Sequence, residues 1–373
     1  MSNTEHFHRS CFACLLRGDP EFDHALLETA AFWRQARMEG VLALLWHQLV
    51  SKNIQLSPAI QLQIRDALRE QTIELGIIRH AANQALTTLD RAGIRVIMLR
   101  GLALAETLYP RASLRPQSDI DLLLNPVQMQ PALIALGAIG FAPINSWQPH
   151  LLVRGDALID LHDEPLGGDR IQAWRQLTPL SGNTFFAQAH HDGNTLRIPD
   201  SLQIPWLCFH ATKHSFERLI WLNDIALLAN QISQNQTWDQ AITTIHQLRL
   251  EHPCYFSLSY CVEQFNAEVP DEVLAAIRPA MDWRERALLQ RHLTHEQIPF
   301  LAERLFARML PRLRQRLAFW YETIIPRHEV REQIAAGGCV KCTFIRTRLR
   351  QLGLAISMLH LEWRGWRLLF CKH

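Results

Sequence analysis

The feature that most constrains this 373-residue chain is six residues long. In Asp119-Ile-Asp-Leu-Leu-Leu124, two carboxylates alternate with apolar residues. That alternation is a strand signal, because successive strand side chains point to opposite faces. Asp119 and Asp121 are thus placed on one face, their Cα atoms about 7 Å apart. Ile120 and Leu122 turn to the other face, into a core. Neighbouring carboxylates repel unless a cation neutralises them, and hard oxygen donors select Mg²⁺. A third acid, Asp160, alternates with Ile159 and Leu161 in Ala157-Leu-Ile-Asp-Leu-His162. Three acids from two adjacent strands hold a pair of metals about 4 Å apart, the clamp used for in-line phosphoryl or nucleotidyl transfer. His162 shares the face of Asp160 and is placed to orient it or the substrate.

The rest of the chain falls into place around these strands. Residues 1–92 read as helical, with apolar positions at three- and four-residue spacing over Glu21–Arg37, Glu39–Lys52 and Ser57–Ala92. Gly93–Leu99 reads as a strand, Leu102–Tyr109 as a helix stopped by Pro110, and Val127–Leu136 as another helix. Leu151–Arg154 and Ala157–His162 read as two strands joined at Gly155-Asp156. From Leu202 onward the pattern is helical again. The expected fold is α+β: a small mixed β-sheet core with helices over 93–200, flanked by mostly helical regions. Those regions are 1–92, a substrate- and nucleotide-binding region over 201–300, and a basic C-terminal region over 301–373.

Composition narrows the class. Hydrophobic residues make up 48% of the chain, enough for a packed core and too many for a disordered one. No apolar run reaches the roughly 18 residues that span a bilayer, and no secretory signal opens the chain, so the expected compartment is the cytoplasm. Eight cysteines are too few for a disulfide scaffold. The pairs Cys11/Cys14 and Cys339/Cys342 have zinc-like spacing without further ligands beside them. Charge is uneven. Residues 301–373 hold 14 Lys and Arg against five Asp and Glu, whereas the first 300 hold 24 against 31. Within the basic region, Thr347–Phe370 is amphipathic and carries Trp363 and Trp366; the basic excess fits a solvated face, a helix in peripheral contact with a membrane surface, or a nucleic-acid contact.

Further residues suit an anionic ligand. Gly101, between a strand and a helix, lets backbone N–H groups approach a phosphate, and a helix N-terminus adds a favourable dipole. Arg100 and Arg115 fit phosphate oxygens, and Ser118 stands next to Asp119. If Leu202–Gln231 is one helix, then His210, Lys213, His214, Arg218, Trp221 and Asp224 form one stripe at its three- and four-residue steps. Lys213 and His214 are candidates for triphosphate contact and Trp221 for packing on a base. Arg218 and Asp224 fit a structural ion pair equally well. His210 and His214 have the spacing of two zinc ligands but no third.

These segments also carry a family resemblance. Arg100-Gly101, Leu108-Tyr109-Pro110, Arg115-Pro-Gln-Ser-Asp119-Ile-Asp121 and Ile159-Asp160-Leu-His162 come in that order. His210-Ala-Thr-Lys213-His214 and Arg218-Leu-Ile-Trp221-Leu-Asn-Asp224 follow. The set, over about residues 20–240, resembles the bacterial NTP_transf_5-like nucleotidyltransferases of the DNA polymerase β superfamily. The resemblance implies Mg²⁺-dependent transfer of a nucleoside monophosphate from an NTP, with ATP the expected one, and release of pyrophosphate. The acceptor is left open among small molecules, proteins and RNA. It further implies that Asp119 and Asp121 bridge the metals, and that Asp160 binds the catalytic metal and helps deprotonate the acceptor. Two departures bear on phosphate binding. Leu102 follows Gly101 where the superfamily usually has Ser or Gly, and Arg100 stands where the closer group often has Lys. The competing readings are a non-catalytic NTP-binding module and a membrane-surface accessory protein of a biosynthetic or envelope pathway.

Overall fold

The structure is a computed structural model that describes residues 3–19, 24–146, 148–166, 175–296, 298 and 300–324. The expectations for Cys339/Cys342, Thr347–Phe370, Trp363 and Trp366 lie outside the described residues, as does most of the basic C-terminal region. The described residues fall into two compact units, one holding 3–166 and 178–305, the other 175–177 and 306–324.

Five helices open the larger unit: α1 (Asn3–Leu16), α2 (His24–Leu27), α3 (Ala30–Met38), α4 (Leu42–Ser51) and α5 (Pro58–Arg91). Cys11 and Cys14 both lie on α1, Cys11 buried and Cys14 half-buried. The 34-residue α5 starts on Pro58, where a missing N–H costs nothing. It buries Leu75, Ile78, Ala82, Ala85 and Leu89 at helical spacing. Next come β1 (Val96–Met98), α6 (Leu102–Leu108), β2 (Ile120–Leu124), α7 (Met129–Ala138), β3 (Ala142–Pro143), β4 (Leu151–Arg154) and β5 (Ala157–His162). After α8 (Gly182–Gln188), the hairpin β6 (His190–Asp192) and β7 (Thr195–Arg197) completes one seven-stranded mixed sheet of order β3-β4-β5-β2-β1-β7-β6.

The two faces of the sheet do different work. Val96, Ile120, Leu122, Leu124, Ala157, Ile159 and Leu161 pack with the apolar sides of α5 and α7 in one core. The expected N-terminal helical region therefore supplies, through α5, the layer that covers this face. Residues of opposite parity on β2 and β5, including Asp121, Asp160 and His162, take the other face.

The helical remainder consists of α9 (Asp200–Lys213), α10 (Leu219–Gln234), α11 (Trp238–Leu248), α12 (Glu251–Phe265), α13 (Asp271–Ala276), α14 (Trp283–Leu293) and α15 (Leu301–Met309). In the smaller unit, α16 (Leu313–Ile324) turns Leu313, Leu317 and Tyr321 outward and buries Phe319. No helix among the described residues is long and apolar enough to cross a membrane.

A single helix over Leu202–Gln231 does not form. The chain breaks between α9 and α10, where Ser215 and Phe216 take left-handed backbone angles with φ of 51° and 56°. The break turns the Phe216 side chain into the core, and Arg9 Nη2 donates to the freed Phe216 carbonyl at 2.6 Å. Glu39 then starts α10. Its carboxylate accepts the Leu219 N–H at 2.9 Å, and its carbonyl accepts the Ile220 N–H at 3.1 Å. Arg9 pairs with the same carboxylate at 3.0 Å. Burial raises the Glu39 pKa despite that pairing. Gly40 follows with φ +77°, and a Cβ there would stand 2.9 Å from Ile220 Cγ2. Only glycine lets this elbow pass so close to the start of α10.

Removing one partner of a buried pair strands the other. Glu39→Ala is therefore expected to lower unfolding free energy by about 3–5 kcal/mol, and Glu39→Gln by less. Urea denaturation followed by circular dichroism measures both; equal, negligible losses would contradict the buried-pair account.

Candidate metal and nucleotide site

The parallel pairing of β2 with β5 sets Asp121 directly opposite Asp160, one strand over. His162 comes two residues later on β5, on the same face. One ligand atom from each of Asp121, Asp160 and His162 lies within 4.8 Å of the others. His162 Nε2 is 2.9 Å from Asp121 Oδ1 and 3.4 Å from Asp160 Oδ2. Asp119 stands just before β2, where Ser118 Oγ donates to its Oδ1 at 3.1 Å. It lies outside that three-residue set, yet its pKa registers the negative charge of both Asp121 and Asp160.

Arg100 answers this negative charge. The Leu99 N–H donates to the Asp121 carbonyl at 3.1 Å, which fixes the end of β1 against β2. The next side chain turns onto the acid face, where Arg100 Nη2 meets Asp121 Oδ1 at 2.6 Å and Nε meets Oδ2 at 3.1 Å. Burial opposes the Asp121 charge, but Arg100 and the His162 hydrogen bond outweigh it and hold the carboxyl well below the usual range. Asp119 is shifted the other way, first by burial and then by the Asp121 charge. Asp160 is likewise raised, chiefly by burial. For His162, burial works against the charged form, while Asp121 and Asp160 more than compensate and raise its pKa. Three carboxylates thus face one guanidinium and one imidazole inclined to hold its proton.

Gly101 makes the turn after Arg100 with φ +52°. A Cβ there would stand 3.0 Å from Gln117 Oε1. The buried amide of Gln117 has no hydrogen-bond partner among the described residues, so a polar group rests unused beside the turn. The helix that follows, α6, is only seven residues long. Its dipole is correspondingly small, and the positive charge here comes from Arg100.

The stripe expected on one helix is divided by the break after α9. His210 still reaches the site, its Nδ1 2.6 Å from Arg100 Nη1. Burial, then the Arg100 charge, pushes the His210 pKa far down, so the ring is neutral and accepts this hydrogen bond. Trp206, one turn earlier on α9, lies under the Arg100 guanidinium at 5.9 Å. His210, His214 and Trp221 form one aromatic group, with ring centroids 4.7–5.1 Å apart. Lys213 donates to the Leu166 carbonyl at 3.0 Å.

Arg115 and Asp224 are engaged otherwise than expected. Arg115 is buried and holds Asp224 through Nη2 at 2.6 Å and Nε at 2.9 Å. Tyr109 Oη donates to the same carboxylate at 2.5 Å and accepts from Asn223 Nδ2 at 3.0 Å. The Arg218–Asp224 pair does not form. Arg218 precedes α10 and lies 5.9 Å over the Trp221 ring, while Asp224, inside α10, turns to Arg115 and Tyr109. The Arg115–Asp224 pair ties the loop before Asp119 to α10.

Several contributors were not legible beforehand. Trp206 shares the α9 face of His210 at i,i−4, and that spacing would have found it. Gln117 lies in a polar loop with no periodicity to single it out. Tyr109 was visible as part of Tyr-Pro, without a role.

The family model described as "uncharacterised nucleotidyltransferase", NTP_transf_5, matches residues 27–266. No curated protein and no solved structure matches the chain.

The buried, neutral His210 gives a pH dependence. Its folded pKa is depressed, so its contribution is fully present above the unfolded value near 6.5 and is lost as pH falls below it. The loss amounts to at most about 1.4 kcal/mol per pH unit. Urea midpoints at pH 7 and pH 5 are expected to differ more for the wild type than for His210→Phe; equal differences would contradict a buried neutral ring.

Proposed function

Because the chain belongs to the NTP_transf_5 family of uncharacterised nucleotidyltransferases, we propose that it transfers a nucleoside monophosphate from an NTP, ATP first among them, to an acceptor hydroxyl and releases pyrophosphate. The observation that carries this reading is the convergence of Asp121, Asp160 and His162 on one sheet face, with Asp119 beside them. Oxygen-rich ligands from rigid strands suit a hard divalent cation. Asp121 and Asp160, joined by Asp119, would hold Mg²⁺ as a pair of ions, and His162 would keep Asp121 and Asp160 oriented through its ring N–H. Bound there, the metal supplies neutralisation of the triphosphate charge and lowers the pKa of the attacking hydroxyl.

The chain's own residues do the rest. The acceptor oxygen bonds to the α-phosphorus, the bond from that phosphorus to the bridging oxygen of the β-phosphate breaks, and pyrophosphate carries the electron pair away. Asp160, the most exposed carboxylate of the convergent set, takes the proton from the acceptor. Arg100 exchanges partners: its guanidinium leaves Asp121 for phosphate oxygens, to which its planar fork is suited. His210, neutral and at hydrogen-bond distance, steadies Arg100 in either position. The open amide of Gln117 adds a donor beside Gly101. Ser118, Lys213 and His214 remain candidates for the phosphates, and the His214–Trp221 surface offers a flat face for a base. Arg115 and Asp224 contribute by position alone.

Transfer of label from α-³²P-NTPs, with Mg²⁺ titrated, tests the reaction. Asp121→Asn with Asp160→Asn is expected to cost at least about 10³-fold in turnover, with the circular dichroism spectrum retained. Unchanged turnover would overturn the assignment, and metal-dependent nucleotide binding without pyrophosphate release would favour a binding module.

Arg100→Ala makes a second, opposite-signed prediction. Without its counter-charge the acid face should bind Mn²⁺ more tightly in the absence of nucleotide, by roughly tenfold or about 1.4 kcal/mol, while NTP affinity falls. Electron paramagnetic resonance of free Mn²⁺ reads the first effect; weaker Mn²⁺ binding would contradict the exchange.

A further inference from the structure

In the smaller unit, α16 carries an apolar strip that its own packing does not use. At about 100° per residue, Leu313, Leu317 and Tyr321 fall in line along one side of the helix. They are 71%, 62% and 62% exposed, whereas Phe319, on the other side, is fully buried and anchors the helix. Large apolar side chains scattered singly over a surface need no explanation, but three aligned on one short helix mark a contact.

Arginines border the strip on both sides. Arg314 lies about 20° past Tyr321, and Arg316 about 60° short of Leu313. Arg314 is exposed. Arg316 is half-buried and leans back over the helix start, its Nε donating to the Leu310 carbonyl at 2.7 Å. Trp320, also half-buried, fills the sector between Leu313 and Arg316. The acid of this helix, Glu322, is turned about 140° away from the middle of the strip.

Charge decides what covers such a surface. A second copy of the chain would bring the same arginines up against these, and like charges repel across an interface. The chain's own amphipathic segment 347–370 is no better matched, with Arg348, Arg350, Arg364 and Arg367 against Glu362 alone. A nucleic acid would answer the arginines but not the leucines, which have no ring to stack on a base. An anionic lipid surface answers both. It takes apolar side chains at the boundary of its acyl chains, holds Tyr and Trp at headgroup level, and attracts arginine to its phosphates. The basic excess of residues 301–373, 14 Lys and Arg against five Asp and Glu, extends the same charge along the chain. With 12 residues, α16 is too short to cross a bilayer, so the contact lies along the surface.

We propose that α16 docks this chain on an anionic membrane surface, with Leu313, Leu317 and Tyr321 entering the headgroup boundary and Arg314 and Arg316 meeting lipid phosphates.

Co-sedimentation of the full chain with vesicles of equimolar phosphatidylcholine and phosphatidylglycerol, without metal or nucleotide, tests the docking. Pure phosphatidylcholine vesicles are the neutral comparison. Saturable binding to the anionic vesicles is expected, at least about tenfold tighter than to the neutral ones and weakened by added salt. Leu313→Gln with Leu317→Gln alters only exposed side chains and is expected to weaken that binding at least about tenfold. Arg314→Gln is expected to weaken binding to anionic vesicles and leave binding to neutral ones unchanged. Ile134→Gln, at a 67% exposed position on α7, is expected to bind as the wild type does. Failure to bind the anionic vesicles, whether or not an oligonucleotide binds in their place, would overturn the proposal. So would undiminished binding by the double glutamine variant, or an equal loss in Ile134→Gln. A wild-type dimer that the double variant splits in sedimentation velocity would assign the strip to a second copy and overturn it as well.

Discussion

The site rests on a conflict of charge. Strand geometry and register force Asp121 and Asp160 side by side, and the residue before β2 adds Asp119. Acids this close, partly removed from water, drive one another's titration upward unless cations intervene. Arg100 and His162 intervene, but incompletely: the Asp121 pKa is lowered, while those of Asp119 and Asp160 stay raised, first by burial and then by neighbouring negative charge. On the proposed reading, a divalent cation would supply the positive charge that is still missing. The incompleteness, more than the presence of acidic residues, separates this face from an ordinary solvated strand end.

The helical half of the larger unit gives that face its rigidity. Arg115, Asp224 and Tyr109 lock the loop leading to Asp119 onto α10. Arg9 and Glu39 lock the start of α10 onto the N-terminal helices. Both are buried networks with most partners supplied. Such networks contribute little net stability relative to an apolar core but penalise alternative arrangements severely. Their effect here is to fix where the acid face ends and the aromatic group of His210, His214 and Trp221 begins.

Much of this was legible in the sequence, for identifiable reasons. Alternation with period two located β2, β4 and β5 and gave the correct face to Asp121, Asp160 and His162, because one face of each strand is core. Periodicity located α5 to within a residue, and the stops at Pro110 and Gly137 bounded α6 and α7 to within two. Non-local pairing was not legible. Arg115 and Asp224 are 109 residues apart, and nothing in either neighbourhood reveals that they neutralise each other. The break after His214 was missed because Ser215-Phe216-Glu217 contains neither glycine nor proline. Its left-handed turn is held by Arg9, two hundred residues away. The β6–β7 hairpin was missed although Asp192-Gly193 is a hairpin signal, since its strands are only three residues long and mostly exposed.

The long helix α5 has a consequence of its own. Near its start it buries Ile60 and Ile64, and over its second half it presents Leu75 to Leu89 to the sheet. At 1.5 Å and 100° per residue, it works as a calibrated shaft about 50 Å long. Gaining or losing one residue between Ile64 and Leu75 would wind one end a quarter-turn and more out of phase with the other. Length drift in this stretch is therefore tolerable only in steps near whole turns, whereas the surface loops are free to vary.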